Sequence, residues 1–292
     1  MAHPIPNPLI PARLITIPVS HYCEKTRWAL TRSQIPFVEE RHMPPFHRFA
    51  TQRIGRQTES VTEAERHLSP INRFVSQFVG GQSVPVLITE TGILNSSEEI
   101  LKYVDAIASE GSKLYPTNPE YRQQIVELIA LFDSVLAPVV RQWFYFYTFD
   151  RSQLIQPLWC QGVPWFERVF FPIVFRWMRS NVFQMYMINI ESTILAHERI
   201  CNIFETVESL LVDGRTYLVG NQFSAADLTF ATLAAAVVMP TGYGVTLPEL
   251  NKLPTQMVVD IQAFRETLAG KFVLRLYEEH EQIVRFSSSR LG

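Results

Sequence analysis

The sequence predicts an N-terminal α/β domain followed by an all-helical domain. In the first hundred residues, short apolar segments bounded by turn residues alternate with helical patterns, in the order β-α-β-(α)-β-β-α. Beyond them, apolar residues recur at helical spacing, and no strand alternation of comparable length appears. We therefore place the first domain at residues 1–110 and the second at 119–292, with a linker over 113–119.

The composition is typical of a globular protein with a large core. The chain has 292 residues, of which 47% are hydrophobic and 18% charged. Its formal charge of −2 gives no electrostatic reason to expect a nucleic-acid partner. Cys23, Cys160 and Cys201 are odd in number and far apart, which argues against a disulfide framework and favours the reducing cytoplasm.

Neither a membrane span nor a secretory signal is expected. The N-terminal dozen residues contain four prolines and lack the apolar stretch of a signal peptide. The longest nearly uncharged run, 228–250, is broken by Pro240, Gly242 and Gly244, so it predicts a buried helix followed by a loop. The histidines show no metal-ligand spacing, and we expect no metal.

The first structural signal lies at residues 14–32. It predicts a strand over 14–17, a turn at Pro18 and a helix that opens near Ser20, with Glu24 and Lys25 outside its apolar face. The side chains on its first turn are Ser20, His21, Tyr22 and Cys23. The first N–H groups of a helix lack internal partners and carry a partial positive charge. Such a position can stabilise an anion, including a thiolate.

The rest of the first domain is predicted from turns and caps. A strand over 37–41 should run parallel to the first one. Residues 51–82 are polar and too long for a simple connector, which indicates an insertion, with a candidate helix over 64–78. Pro85 near the start of an apolar strand must lie at an edge, at the first strand position or after a cis bond. A turn over 89–92 then leads to a short returning strand.

Three further helices follow from spacing and capping patterns. Ser96 and Glu99 form a capping box, as do Ser224 and Asp227 at the start of a buried helix. An apolar stripe over 125–136 predicts a helix ended by Pro138, and a second stripe covers 200–211. Residues 143–187 are rich in aromatic side chains, which we expect in the core and on a dimer surface.

The chain resembles the cytosolic glutathione transferase superfamily. The segments SHYCEKTRWAL (20–30), SVPVL (83–87) and NSSEEILKYVD (95–105) resemble, in order, three landmarks of its thioredoxin-like domain. The segment YLVGNQFSAAD (217–227) resembles its C-terminal folding motif. The resemblance is to bacterial-type members with serine at the first position of the active-site turn. It implies glutathione as co-substrate, a hydrophobic small-molecule electrophile, a role in detoxification and a homodimer.

The resemblance also implies roles for individual residues. The Ser20 hydroxyl would donate a hydrogen bond to the sulfur of glutathione; the alternative is that Ser20 only caps the helix. The backbone of Val84, before a cis Pro85, would pair with the cysteinyl backbone of glutathione. Ser97 would receive the γ-glutamyl carboxylate. Ser96 stands where the family usually has Glu or Gln, so the contact to the γ-glutamyl amine stays open.

Two alternatives of different classes remain. Cys23 occupies the second position of a CxxC-like turn, and we expect it to be a small buried residue. If Cys23 is instead a redox thiol, the protein is a glutathione-dependent disulfide reductase or peroxidase, which is the first alternative. A non-catalytic protein that binds glutathione or a hydrophobic ligand is the other alternative. The basic residue for the glycyl carboxylate would fall in the long segment, where Arg73 and Gln82 are candidates.

The aromatic-rich half should supply the electrophile pocket. Arg141, Tyr145 and Tyr147 lie on the helix expected to face the thioredoxin-like domain. We therefore assign these three residues to the hydrophobic substrate pocket.

Overall fold

The computed structural model describes residues 11–55 and 84–288. Its single mixed sheet has the strand order β2-β1-β3-β4. The strands are β1 (Ala12–Thr16), β2 (Phe37–Arg41), β3 (Val86–Thr89) and β4 (Gly92–Leu94). β1 runs parallel to β2 and antiparallel to β3, and β3 pairs with β4 as a hairpin. The predicted parallel pair and the predicted turn over 89–92 are both confirmed.

Within the described residues, three helices accompany the sheet: α1 (His21–Arg32), α2 (His47–Gly55) and α3 (Ser97–Ile107). Ser96 caps α3 by accepting from Glu99 N at 3.1 Å, while the Glu99 carboxylate accepts from Asn95 N at 2.8 Å. The sequence did not predict α2. Most of the expected insertion over 51–82, and all of the candidate helix over 64–78, lies outside the described residues.

The second half is helical, as predicted. Its helices are α4 (Pro119–Leu131), α5 (Ala137–Thr148), α6 (Ser152–Cys160), α7 (Trp165–Met185), α8 (Ile190–Leu211), α9 (Ala225–Val238), α10 (Thr255–Glu266) and α11 (Leu268–Ser288). Helix α9 is buried along almost its whole length, and it contacts α1, α4, α5, α10 and α11. Helix α9 therefore forms the centre of the helical core, and α1 of the α/β domain packs against it.

The expectation that a helix ends at Pro138 is wrong. A π-helical turn (Phe132–Leu136) joins α4 to α5, so the helix runs unbroken over 119–148. Pro138 lies in the first turn of α5, directly after the wide turn, where a missing N–H is tolerated.

By length and hydropathy alone, the helix over 119–148 is the one helix within the described residues that could cross a bilayer, a test that core helices also pass.

Charged side chains of α1 join the two domains. Glu24, Lys25 and Arg27 are all buried. Lys25 Nζ lies 2.9 Å from a carboxylate oxygen of Asp133 in the π-helical turn. The Glu24 carboxylate accepts a hydrogen bond from Gly244 N at 3.0 Å and pairs with Arg27. The polar side of α1 thus faces the helical domain instead of solvent.

The predicted capping box of α9 is present and buried. Asp227 is 0% exposed, and its carboxylate accepts from Ser224 N at 2.7 Å and from Ser224 Oγ at 2.6 Å. Its second oxygen accepts from Leu218 N at 2.7 Å. One carboxylate therefore fixes both the start of the central helix and the loop that precedes it.

Replacing this carboxylate should destabilise the whole protein. We expect Asp227→Ala to lower the free energy of unfolding by about 2–4 kcal/mol, because three buried donors lose their acceptor. Urea unfolding followed by circular dichroism measures the change. Asp213→Ala is the matched control, since Asp213 pairs with Arg215 on the surface and should leave the unfolding midpoint almost unchanged. Equal losses in the two variants would contradict the role given to Asp227.

Candidate functional site

A cavity of about 530 Å³ lies between the α/β domain and the helical domain. Its α/β wall comprises the start of α1, the start of α2, the residues before β3 and the start of α3. Its helical wall comprises one face of α5, the C-terminal end of α7, the end of α9 and the loop that follows. The first wall supplies most of the polar groups, and the second wall is mainly apolar.

Ser20 lies in this cavity at the N-terminus of α1. Its side-chain oxygen accepts from Cys23 N at 3.4 Å, so Ser20 caps the helix and also lines the cavity. The turn before it is held from two sides. Arg27 donates to the carbonyl of Pro18, and the Tyr243 hydroxyl donates to the carbonyl of Val19 at 2.9 Å. Both domains therefore determine where the Ser20 hydroxyl lies.

Val84, Pro85, Ser96 and Ser97 line the same cavity. The bond between Val84 and Pro85 is cis. The ladder between β1 and β3 begins at Val86, so the N–H and C=O of Val84 lie beyond its last pair. Ser97, the first residue of α3, is buried, and the helix presents its positive end there. Backbone groups and two helix N-termini thus converge on one wall.

Two cations line the cavity, Arg48 on α2 and Arg141 on α5, and no Asp or Glu is among the lining residues that the structure describes. Arg48 Nη1 is buried and has no hydrogen-bond partner within the described part of the chain. Burial lowers the pKa of Arg48 from its usual value. The cavity therefore favours ligands that carry negative charge.

Two histidines in the wall are held neutral. His21 Nε2 lies 3.3 Å from Arg141 Nη2, and because a guanidinium can only donate, the His21 proton resides on Nδ1. Burial, followed by the charges of Arg141 and Lys25, lowers the pKa of His21 well below its usual value. Burial also lowers the pKa of His47 to about 3. Neither imidazole neutralises an anion in the cavity at pH 7.

The predicted pocket residues separate into two groups. Arg141 and Tyr145 line the cavity. Tyr147 is not among the lining residues, and its ring packs against Trp143 and Phe146. All three residues lie on α5, but positions 145 and 147 point about 200° apart around the helix axis, so their side chains cannot both face the cavity.

Cys23 does not line the cavity and is 0% exposed. Burial raises the pKa of its thiol to about 11, although Arg27 and a hydrogen bond with the Ser20 side chain act in the opposite direction. A thiol in this environment is a poor nucleophile at neutral pH.

Several lining residues were missed by the sequence analysis. Met178 and Val182 on α7, and Tyr186 directly after it, recur at every fourth position, a spacing that could have identified one cavity-facing stripe. His47 and Arg48 carry no such signal, because the sequence did not predict α2, the helix that holds them. Arg73 and Gln82, the candidates for the glycyl carboxylate, lie outside the described residues.

Two family models match the chain. The model for the N-terminal domain of glutathione S-transferase matches residues 14–112, and the model for the C-terminal domain matches residues 191–269. Together they match more than half of the chain, one on each side of the cavity. No curated protein sequence matches the chain.

Solved structures with a similar fold are distant in sequence. A glutathione S-transferase from Rhodospirillum rubrum has 16% identity and a TM-score of 0.46, over 90% of this chain and 91% of that one. Glutathione transferase F2 from Populus trichocarpa has 15% identity and a TM-score of 0.49, over 92% and 100%. A glutathione S-transferase from Methylobacterium radiotolerans, solved with glutathione sulfonate, has 17% identity and a TM-score of 0.46, over 91% and 95%.

The neutral state of His47 predicts a loss of stability in acid. The unfolded chain binds the His47 proton near pH 6.5 and the folded chain only near pH 3, so protonation favours unfolding between those values. We expect His47→Gln to remove up to about 1.4 kcal/mol per pH unit from the slope of unfolding free energy against pH. Urea unfolding at a series of pH values measures this slope.

His280 provides a second case outside the cavity. Burial lowers its pKa to about 4, so His280→Gln should remove a similar slope between pH 6.5 and 4.

The His47 prediction has its own contradicting outcome. An unchanged slope of unfolding free energy against pH in His47→Gln would show that His47 is already charged in the folded protein at pH 6.

Proposed function

We propose that this chain, which belongs to the glutathione S-transferase superfamily, is a glutathione transferase that activates the glutathione thiol for attack on a hydrophobic electrophile. One observation carries the proposal. A single cavity brings together Ser20 at the start of α1, the strand edge at Val84, Ser97 at the start of α3 and an apolar wall of the helical domain. Each element suits a different part of the two reactants.

The α/β wall accounts for the three parts of glutathione. The Ser20 hydroxyl donates a hydrogen bond to the bound sulfur, while its oxygen still accepts from Cys23 N. The positive end of α1 favours the thiolate. Each unit by which the thiol pKa falls corresponds to about 1.4 kcal/mol of preference for the anion. The N–H and C=O of Val84 pair with the cysteinyl backbone, as in the addition of a short strand. Ser97 and the N–H groups of α3 receive the γ-glutamyl carboxylate.

Arg48 is our candidate for the glycyl carboxylate. Its Nη1 is buried without a hydrogen-bond partner among the described residues, and a buried donor of this kind is stabilised by a carboxylate. The electrophile lies against Val140, Phe144 and Tyr145 on the opposite wall. The protein thus supplies thiol deprotonation, with the proton released to solvent, and holds the two reactants side by side.

The described structure favours conjugation over the redox alternative. A disulfide reductase or peroxidase using Cys23 needs an accessible thiolate, whereas Cys23 is fully buried and its thiol has a pKa of about 11. The described residues contain no cluster of three His, Cys, Asp or Glu side chains that could hold a metal. The homodimer implied by the resemblance and the cytoplasmic location inferred from the cysteines stay predictions.

Separate alanine variants test the role of Ser20. We expect Ser20→Ala to lower kcat/KM for conjugation of 1-chloro-2,4-dinitrobenzene by about 10- to 100-fold, since a hydrogen bond to a charged sulfur is lost. The pH profile of kcat/KM should shift upward by about one to two units, because the bound thiol is less acidic. Ser20→Thr keeps the hydroxyl and should retain most of the activity.

Cys23→Ala is the matched control and should conjugate nearly as well as the wild type. Disulfide reduction that is lost only in Cys23→Ala would favour the redox enzyme instead. Glutathione binding without turnover of any electrophile would point to a binding protein. An unshifted pH profile in Ser20→Ala would leave Ser20 with its capping role alone.

A further inference from the structure

Arg141 is a charged residue in the middle of the apolar wall. It lies on α5 between Val140 and Phe144, which line the cavity with it. Its guanidinium carbon is 5.3 Å from the centre of the Tyr186 ring and 6.0 Å from that of Tyr22. Aromatic faces on two sides hold the guanidinium in place while it faces the cavity.

The partners that the structure shows for Arg141 are all neutral. Nη1 donates to the Tyr186 hydroxyl at 3.4 Å, and Nη2 donates to His21 Nε2 at 3.3 Å. Both distances are at the long end of the hydrogen-bond range. Asp133 is occupied by Lys25, and within the described residues no carboxylate lies within 4 Å of Arg141. Among the residues that the structure describes, the guanidinium therefore has no counter-charge, which is unfavourable in a partly buried site.

We propose that the second substrate is an amphiphilic acid, a hydrophobic electrophile whose carboxylate pairs with Arg141. This inference rests on the proposed transferase function and specifies its substrate class. A planar guanidinium suits a carboxylate because two parallel N–H···O bonds form at once. The surrounding side chains of Phe144, Tyr145 and Val182 bury the apolar body of the same molecule.

The groups of glutathione have separate partners on the other wall. Its γ-glutamyl carboxylate is assigned to Ser97 and its glycyl carboxylate to Arg48, both in the α/β domain. Arg141 belongs to the helical domain, beside the apolar side chains that would hold the electrophile. The charge of Arg141 is thus available to the second substrate.

The reaction on such a substrate balances without any further reactant. The glutathione thiolate adds to the β-carbon of an activated alkene, so an S–C bond forms and the C=C π bond breaks. The electron pair moves onto the α-carbon, which then takes a proton from solvent. The carboxylate takes no part in these steps, and Arg141 only binds it.

Ethacrynic acid and its methyl ester form a suitable pair of probes. Both carry the same activated alkene on the same apolar body, so their intrinsic reactivity is similar, and only the acid carries a carboxylate. We expect the wild type to prefer the acid by about 10- to 100-fold in kcat/KM, mostly through the KM of the electrophile, since one charge-assisted pair is gained. Arg141→Gln should abolish this preference, so that the ratio of kcat/KM for the acid to kcat/KM for the ester falls to about one.

Two variants serve as comparisons. Arg141→Lys keeps the charge without the planar fork and should retain part of the preference. Arg176→Gln removes an exposed arginine of α7 that does not line the cavity, and it should behave like the wild type. Equal losses for acid and ester in Arg141→Gln, or a raised KM for glutathione instead of the electrophile, would overturn the proposal.

Direct binding separates this inference from the proposed function. If the wild type conjugates neither these probes nor 1-chloro-2,4-dinitrobenzene, the transferase function fails, and the affinity for acid and ester is then measured by calorimetry without glutathione. Tighter binding of the acid that is lost in Arg141→Gln still supports the carboxylate site. Equal affinity for acid and ester in the wild type overturns it.

Discussion

The cavity depends on the pairing of the charged side chains that α1 buries against the helical domain. A buried charge without a partner destabilises a protein strongly, so Lys25 needs Asp133, and Glu24 needs Arg27 and the N–H of Gly244. Glu24 and Arg27 pair within α1, whereas the contacts to Asp133 and Gly244 cross between the domains and are made together in only one relative position of the two. That position brings the first turn of α1 opposite α5. The geometry that these buried polar contacts require, more than the stability that they add, therefore sets the distance between the two walls of the cavity.

The electrostatics of the cavity follow from the same arrangement. The positive ends of α1 and α3, together with Arg48 and Arg141, face a space whose described lining contains no carboxylate. His21 lies beside Arg141 and stays neutral, because burial disfavours its charged form and a second cation there would also repel Arg141. Glutathione as a thiolate carries more negative than positive charge, and an acidic second substrate adds to it. In the proposed reaction, the positive groups of this lining would face both reactants.

Local signals and long-range contacts explain what the sequence could and could not predict. The caps at Ser96 and Asp227 were predictable because each cap and its partners lie within a few residues. The burial of Glu24 and Lys25 was not, since their partners Gly244 and Asp133 lie more than a hundred residues away in the chain. Helix α5 was expected to face the thioredoxin-like domain, yet the angle of each side chain around its axis depends on packing against α8 and α9. Tyr145 consequently lines the cavity and Tyr147 does not.

The order of serine and cysteine in the first turn of α1 bears directly on the proposed chemistry. Ser20 precedes the helix and lines the cavity, whereas Cys23 lies one turn further and packs inside. The partial charge of a helix N-terminus acts on whichever group is exposed there, and desolvation raises the pKa of a thiol that is not. A cysteine at the outer position would give the protein its own nucleophile. With serine there, the same field can act only on a sulfur that the ligand brings, which is why conjugation fits this chain better than disulfide exchange.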